Sequence, residues 1–378
     1  MPNQQLYPVN PDRTQPWNNL PELPIHENLY RTMPVYEQLG KAKEALALLA
    51  GRSIAIPNPG VLINSITLQE AKDSSAIENI FTTDDELYKA FSDSKTETEI
   101  SNQAREVLRY REALWEGYNY LKENGRFHPD YLVQLYRAIK ESGDGIRPDF
   151  ARTYIRMGGS GPNAGKPVYT PPRGNGIVQQ KLDNLVDFLN DDSIAPAEPL
   201  LKMAIAHFQF EAIHPFRDGN GRAGRIMNIH LLTYAGLLDV PILYLSRYII
   251  EHKKDYYEGL SGISQRGDWE NWLLFMLRAV ESTARLTYQK VNDIIVSKEE
   301  ILRVMQDRTS IRRPEQLAEV IFSQPYCKVN HLTDAGLYAE NTARNYLNDL
   351  AEIHVLEKRQ LKGRHYYVNL ELKQILSY

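Results

Sequence analysis

The sequence predicts a mostly α-helical chain with one β-hairpin set into it and a small α+β domain at its end. Three observations carry this expectation. Apolar residues recur at three- and four-residue spacing through most of 35–295, the period of helices that bury one face. Between 152 and 172 that period gives way to Tyr154, Ile155 and Met157, then a Gly-Gly-Ser-Gly-Pro-Asn stretch, then Val168-Tyr169-Thr170-Pro171-Pro172, which together read as a hairpin. Beyond 296, short helical runs alternate with β-rich segments. A chain of 378 residues exceeds the roughly 250 to 300 at which single cores stop growing, so the expected division is 1–95, 96–296 and 297–378.

Each element follows from local pattern. Residues 1–33 hold Pro2, Pro8, Pro11, Pro16, Pro21 and Pro24 and predict an extended arm laid over the surface. Val35 to Leu49 is a helix with Leu39, Ala42 and Leu46 on one face, broken between Ile54 and Pro59. From Leu62 to Ile80 the apolar positions Ile63, Ile66, Ala71 and Ile77 predict a helix whose polar side carries Ser74 and Glu78, neighbours at i and i+4. Asn79 ends it, and Thr82-Thr83-Asp84 is a new cap. Glu97 to Asn124 is a core helix closed by Gly125, and His128-Pro129 caps the next, with Leu132, Leu135 and Ile139 inward.

After the hairpin come Ile177 to Leu189, then two helical runs flanking residue 214, then Tyr244 to Leu260. A last long core helix opens at Trp269 and runs to about Ile295. Pro314 to Ser323, Val329 to Gly336 and Asn341 to Ile353 are short helices, followed by β-segments at Val355 to Lys358 and His365 to Val368. The last two helices and the β-wing resemble a winged-helix domain, with Thr342, Arg344 and Asn345 heading its recognition helix and Lys358, Arg359, Lys362 and Arg364 on the wing. DNA binding through it is an alternative that Glu340 and Asp349 weaken, since protein-binding winged helices are common.

Composition narrows the function classes. A formal net charge of −4 argues against whole-molecule attraction to nucleic acid or acidic membrane. Cys327 is the sole cysteine, which rules out an internal disulfide and fits a reducing compartment. No apolar run approaches the roughly 20 residues of a membrane span, so a cytoplasmic location is expected.

The chemistry concentrates at His214-Pro215-Phe216-Arg217-Asp218-Gly219-Asn220-Gly221-Arg222-Ala223-Gly224-Arg225. Pro215 disfavours a helical His214, and the glycines allow positive φ or close approach, so a tight loop leads into a helix N-terminus. Such an end offers unpaired N–H groups and positive potential to an anion. Amides around Gly219, Asn220 and Gly221 can cradle phosphate oxygens, and Asp218 beside them can hold Mg²⁺. Arg222 and Arg225 lie three apart and can clamp further phosphates, while a neutral His214 can take a proton from an attacking hydroxyl.

At every specified position this stretch resembles the Fic family signature, His-Pro-Phe-x-Asp/Glu-Gly-Asn-Gly-Arg-x-x-Arg. The resemblance implies a Fic-type helical core with a β-hairpin flap, here followed by the winged helix. It implies transfer of AMP from Mg-ATP to a Ser, Thr or Tyr hydroxyl of a protein, which can be the enzyme itself. His214 would be the general base, Phe216 a buried anchor and Asp218 the Mg²⁺ ligand. The nucleotide would lie on Gly219, Asn220, Gly221, Arg222, Ala223, Gly224 and Arg225. Gly221 favours nucleotidyl transfer over the phosphoryl transfer of a variant branch that lacks it.

Ser74-x-x-x-Glu78-Asn79 resembles the family's inhibitory motif, in the class that carries this helix before the core. There the glutamate pairs with the last arginine, here Arg225, and so takes the guanidinium that would orient the γ-phosphate. The hairpin resembles the flap that clamps the target by backbone pairing. Tyr256 and Tyr257 occur where relatives line the purine pocket; Tyr257 is the assignment, with core packing as the alternative. A three-histidine metal site of His207, His214 and His230 matches no zinc spacing. A homodimer, the reverse removal of AMP, and a DNA-bound regulator that senses nucleotide remain open at this level.

Overall fold

A computed structural model describes residues 6–54, 59–92, 100–156, 164–194, 196, 198–361 and 364–377. Its first helices are α1 (Met33–Ile54), α2 (Pro59–Ile77), α3 (Asp84–Ser92), α4 (Asn102–Asn124) and α5 (Pro129–Lys140). Ser101 caps α4 by accepting from Ala104 N, and Gly125 ends it in the left-handed region. The hairpin strands β1 (Ile155–Arg156) and β2 (Pro167–Tyr169) pair antiparallel with Ile155 opposite Tyr169. The Met157 to Asn163 part of the expected hairpin lies outside the described residues.

The core continues with α6 (Ile177–Asn190), α7 (Pro199–Ile213), α8 (Asn220–Tyr234), α9 (Leu245–Glu251), α10 (Lys253–Arg266) and α11 (Trp269–Arg308). Every residue of α7 except Pro199 and Glu211 is buried, which its all-round apolar sequence allows, so α7 is the central helix. It packs on α6, α8 and α11, while α1 lies along α11 and α2 fits between α4 and α9.

Beyond α11 come α12 (Pro314–Phe322), β3 (Tyr326–Cys327), α13 (Val329–Asp334), α14 (Glu340–Glu352), β4 (Glu357–Leu361), β5 (Arg364–Val368) and α15 (Leu370–Ser377). The sheet runs β3-β5-β4, all antiparallel, with Val368 facing both Tyr326 and Glu357. The C-terminal domain thus runs helix, strand, two helices, hairpin and a closing helix. Within it Arg344 pairs with Glu340, Arg359 with Glu357, and Lys358 donates to Asn348. Lys362 lies outside the described residues. None of the helices searched among the described residues is long and apolar enough to cross a membrane.

Several elements differ from expectation. The proline-rich arm is part of the core: Tyr7, Trp17, Leu20, Leu23, Leu29 and Tyr30 are buried, and Trp17 N donates to Thr170 O at 3.1 Å. Its large apolar side chains overrode what the prolines suggested. The helix expected over 244–260 is two, broken at His252, whose Nδ1 turns back to Tyr248 O at 2.9 Å while its ring stacks on Tyr248. Helix α11, expected to end at about Ile295, runs on to Arg308. Both α3, expected only as a cap, and the edge strand β3 are additional; β3 exists through its pairing with distant β5.

Candidate active site

The loop between α7 and α8 is held from three sides. His214 ends α7 with φ 49°, and Gly219 precedes α8 with φ 78°. Arg147, 2% exposed, reaches in from the stretch after α5, donating its Nε to His214 O at 2.8 Å and Nη2 to Pro172 O at 2.5 Å and Ile213 O at 3.2 Å. The Asn220 amide accepts from Phe216 N and donates to Phe216 O, both at 2.9 Å, and so closes the turn on itself. Phe216 is fully buried and stacks on Tyr136 with centroids 4.4 Å apart. The turn is thereby fixed before any ligand arrives.

Inside this frame the His214 Nδ1 is shut off from solvent, with the Glu211 backbone as the polar group beside the ring. Burial, helped by the Arg147 charge, pushes the imidazole down to about 4, so at neutral pH it is an unprotonated base. Asp218 is largely exposed; Lys140 Nζ stands 2.7 Å from its Oδ2, and Gly219 N donates to its Oδ1 at 2.7 Å. Burial works to raise this carboxyl, but Lys140 and the Gly219 N–H outweigh it and hold the group below the usual carboxylate range. The Gly219 amide is therefore engaged by Asp218, which leaves the first amides of α8 itself for an anion.

The two arginines differ from a solvent-facing clamp. Arg222 is 1% exposed and its Nη1 pairs with Glu106 of α4 at 2.6 Å. Arg225, also 1% exposed, donates Nε to Ser74 Oγ at 2.8 Å and Nη2 to Ser74 O and Glu78 Oε1, each at 2.9 Å. Residues of α2 and the turn after it thus meet the end of the signature across 147 positions of sequence. Asn79 follows with φ 64°, its side chain accepting from Lys253. Gly221 makes this approach feasible: a Cβ there would overlap Glu78 Oε1 and lie 2.9 Å from Arg225 Nη1. At Gly224 a Cβ would lie 2.8 Å from Glu211 Oε1.

Tyr257 is 43% exposed, and burial with Glu78 nearby pushes its hydroxyl up to about 12. Tyr256 is core, its hydroxyl 2.8 Å from His207 Nε2. His207 and His230 are fully buried, the latter between Leu114 O and the Tyr131 hydroxyl, so neither joins His214 in a metal site. No metal-sized cluster of His, Cys, Asp and Glu occurs among the described residues. Sequence reasoning missed Arg147, Glu106, Lys140, Glu70 and Glu211. Only Glu211, beside the signature, had a local signal.

Comparison with known proteins agrees with this architecture. Residues 36–119 match the Fic/DOC family N-terminal model, 126–232 the Fic/DOC family model, and 298–372 the C-terminal domain of SoFic-like protein adenylyltransferases. Protein adenylyltransferase fic-1 of Caenorhabditis elegans is 26% identical over 162 residues, 43% of this chain and 29% of that protein. Protein adenylyltransferase Fic of Drosophila willistoni is 27% identical over 164 residues, 43% of this chain and 30% of that protein. The matched region therefore spans less than a third of these curated relatives. A Fic family protein from Desulfovibrio desulfuricans G20 shares the fold, with a TM-score of 0.55 at 19% identity over 89% of this chain and 96% of that one. With the three family models together spanning well over half of it, the chain belongs to the Fic/DOC family.

Proposed function

We propose that this protein is an autoinhibited protein adenylyltransferase that transfers AMP from ATP to a Ser, Thr or Tyr hydroxyl of a protein. The observation that carries this reading is the Glu78 carboxylate seated against Gly221 and bonded to Arg225 at 2.9 Å, an acid standing where an anion's cradle lies open. An acidic side chain there blocks phosphate by charge and by volume.

Once Glu78 moves out, the α8 amides and the Arg225 guanidinium are free to receive a triphosphate. His214, neutral and locked by Arg147, accepts the proton of the incoming hydroxyl as its oxygen bonds to the α-phosphorus; the bond to the β-phosphate oxygen breaks and pyrophosphate leaves. Arg222, paired with Glu106, contributes charge beneath the same terminus. Asp218 suits a hard divalent cation: its carboxylate is ionised, largely exposed and at the cradle's edge, and Mg²⁺ commonly takes one or two carboxylates with substrate phosphates. When bound, Mg²⁺ would neutralise charge on the departing pyrophosphate. Strand β2 is tied to α7 by Tyr169 Oη donating to Ala212 O at 2.8 Å, which fixes the flap's edge relative to His214 for a target segment pairing along it. Tyr257, partly exposed on α10, would contact the base.

The test is labelled ATP with Mg²⁺ and the full chain, alone and with cell lysate. Glu78→Gly is expected to raise covalent AMP label on protein at least about tenfold, and mass spectrometry then reports donor and acceptor together. Label unchanged by Glu78→Gly, or surviving His214→Ala, overturns the reading.

A further inference from the structure

The glycine side of α8 carries a second acid that the reaction above leaves unused. Gly221 and Gly224 are three apart on α8, and the space left by their missing Cβ atoms is filled by Glu78 and Arg225 over the first and by Glu211 over the second. Glu211 comes from the last turn of α7. Its Oε1 is closed to solvent and has no hydrogen-bond partner, whereas the Arg225 donors go to Ser74 and Glu78. Glu78, in the turn after α2, is thus bonded to the buried Arg225 guanidinium, while Glu211 of α7 lies one turn along the same side of α8 without that bond.

We propose that Glu211 is a positioning residue that takes over as counter-charge to Arg225 when Glu78 leaves, and gives the guanidinium up again to the terminal phosphate of ATP. This rests on the proposed displacement of Glu78 by nucleotide. In the resting protein, burial pushes the Glu211 carboxyl up to about 8, with Arg225 pulling it down and Glu78 pushing it up, so at neutral pH it holds its proton. The groups facing it are Arg225 of α8, Glu78 after α2, His207 one turn back on α7, and Tyr256 and Tyr257 of α10. Burial pushes His207 down to about 3, so it adds no charge, and burial raises both tyrosine hydroxyls, which stay neutral. Removing the Glu78 charge takes away one of the two causes that raise the Glu211 carboxyl, the larger one, its burial, remaining against the pull of Arg225. The Glu211 proton then passes to solvent and the carboxylate faces the guanidinium. Phosphate entry brings negative charge back, and Glu211 regains a proton from solvent. Nucleotide binding is thereby linked to proton uptake, so affinity falls as pH rises between the two Glu211 values.

The experiment is calorimetric titration of Mg-ATP into full-length Glu78→Gly, Glu78→Gly/Glu211→Gln and Glu78→Gly/Glu211→Asp proteins. Each also carries His214→Ala so that no transfer occurs, and each is measured at pH 6.5 and 8.5 in two buffers of different ionisation enthalpy. Glu78→Gly is expected to lose affinity about fivefold to tenfold over that span and to take up protons beyond those of ATP itself. The Glu211→Gln protein should lose both effects and the Glu211→Asp protein keep them. Equal pH slopes and proton counts with Glu or Gln at 211 overturn the inference while leaving adenylyl transfer intact. Failure of every variant to bind ATP at either pH overturns both.

Discussion

His214 shows what one side chain gains from its surroundings. An ordinary imidazole is half protonated near pH 6.5, which would cost a base much of its population at pH 6. Here burial and the Arg147 charge push it down to about 4, and a lowered value keeps the unprotonated form in place at all pH above that. The Glu78→Gly protein should therefore show no acid limb in its transfer rate near pH 6.5; the limb belongs nearer pH 4, provided folding persists. Arg147→Lys, whose single nitrogen cannot span the three carbonyls that Nε and Nη2 reach from a rigid plane, should lower the rate by roughly tenfold to a hundredfold through loss of orientation. A pH–rate series on both proteins checks this. An acid limb centred at 6.5 in the Glu78→Gly protein would refute the electrostatic account of the base.

Among the elements, α2 is the one whose anchoring sets the resting state. Glu70 and Ser74 are neighbours at i and i+4 on α2, with Glu78 one further such step along the chain, and Glu70 is 1% exposed. Glu70 accepts from Ser246 N at 2.8 Å, Ser246 Oγ at 2.5 Å and Tyr110 Oη at 3.1 Å, which fastens α2 to α9 and α4. Burial outweighs these bonds and pushes the carboxyl up to about 7. A carboxyl raised on folding contributes stability that is fully present below its unfolded value near 4.5 and lost as pH rises through 7. Wild-type protein should thus lose melting temperature relative to Glu70→Gln between pH 5 and 8, by about one degree for each kcal/mol of the contribution. A constant difference would refute the shift. Such anchors were not legible in the sequence. Period and caps disclose a helix such as α4 because its information is local, and residues 214–225 disclose a loop because they are contiguous. What Glu70, Glu106 and Arg147 touch is set by tertiary packing, which no spacing encodes. The bond between Glu78 and Arg225 was anticipated only through resemblance. The break at His252 was missed because apolar spacing continues across it; only the backbone of His252, at φ −117° and ψ 36°, leaves helical geometry.

At the scale of the whole molecule, the C-terminal domain grips the segment that follows Ser74 and Glu78. Asp85 of α3 accepts from Tyr326 Oη at 2.8 Å and pairs with Lys373 at 2.6 Å, Ser92 Oγ donates to Tyr326 O at 3.3 Å, and Tyr88 stacks on Tyr326 with centroids 6.4 Å apart. Helix α3 in turn holds α2, since Lys72 pairs with Asp84 at 2.6 Å and Gln69 donates to Tyr88 Oη. A continuous α11 joins the same two regions on the far side, so the C-terminal domain is braced against the core at both ends of that path. Weakening the grip should therefore loosen Glu78 at a distance. Lys373→Ala removes a partly exposed ion pair worth up to about 1 kcal/mol, and Tyr326→Phe removes a half-buried hydrogen bond to a charged group worth about 1.5 to 3 kcal/mol. The double variant should speed amide exchange in 84–92 and raise covalent AMP label several-fold, to a level between wild type and Glu78→Gly. Faster exchange without added label would mean that Ser74 and Glu70 alone hold α2 in place. Unchanged exchange would mean that α3 is fastened by its apolar face, Leu87 and Tyr88, rather than by these polar contacts.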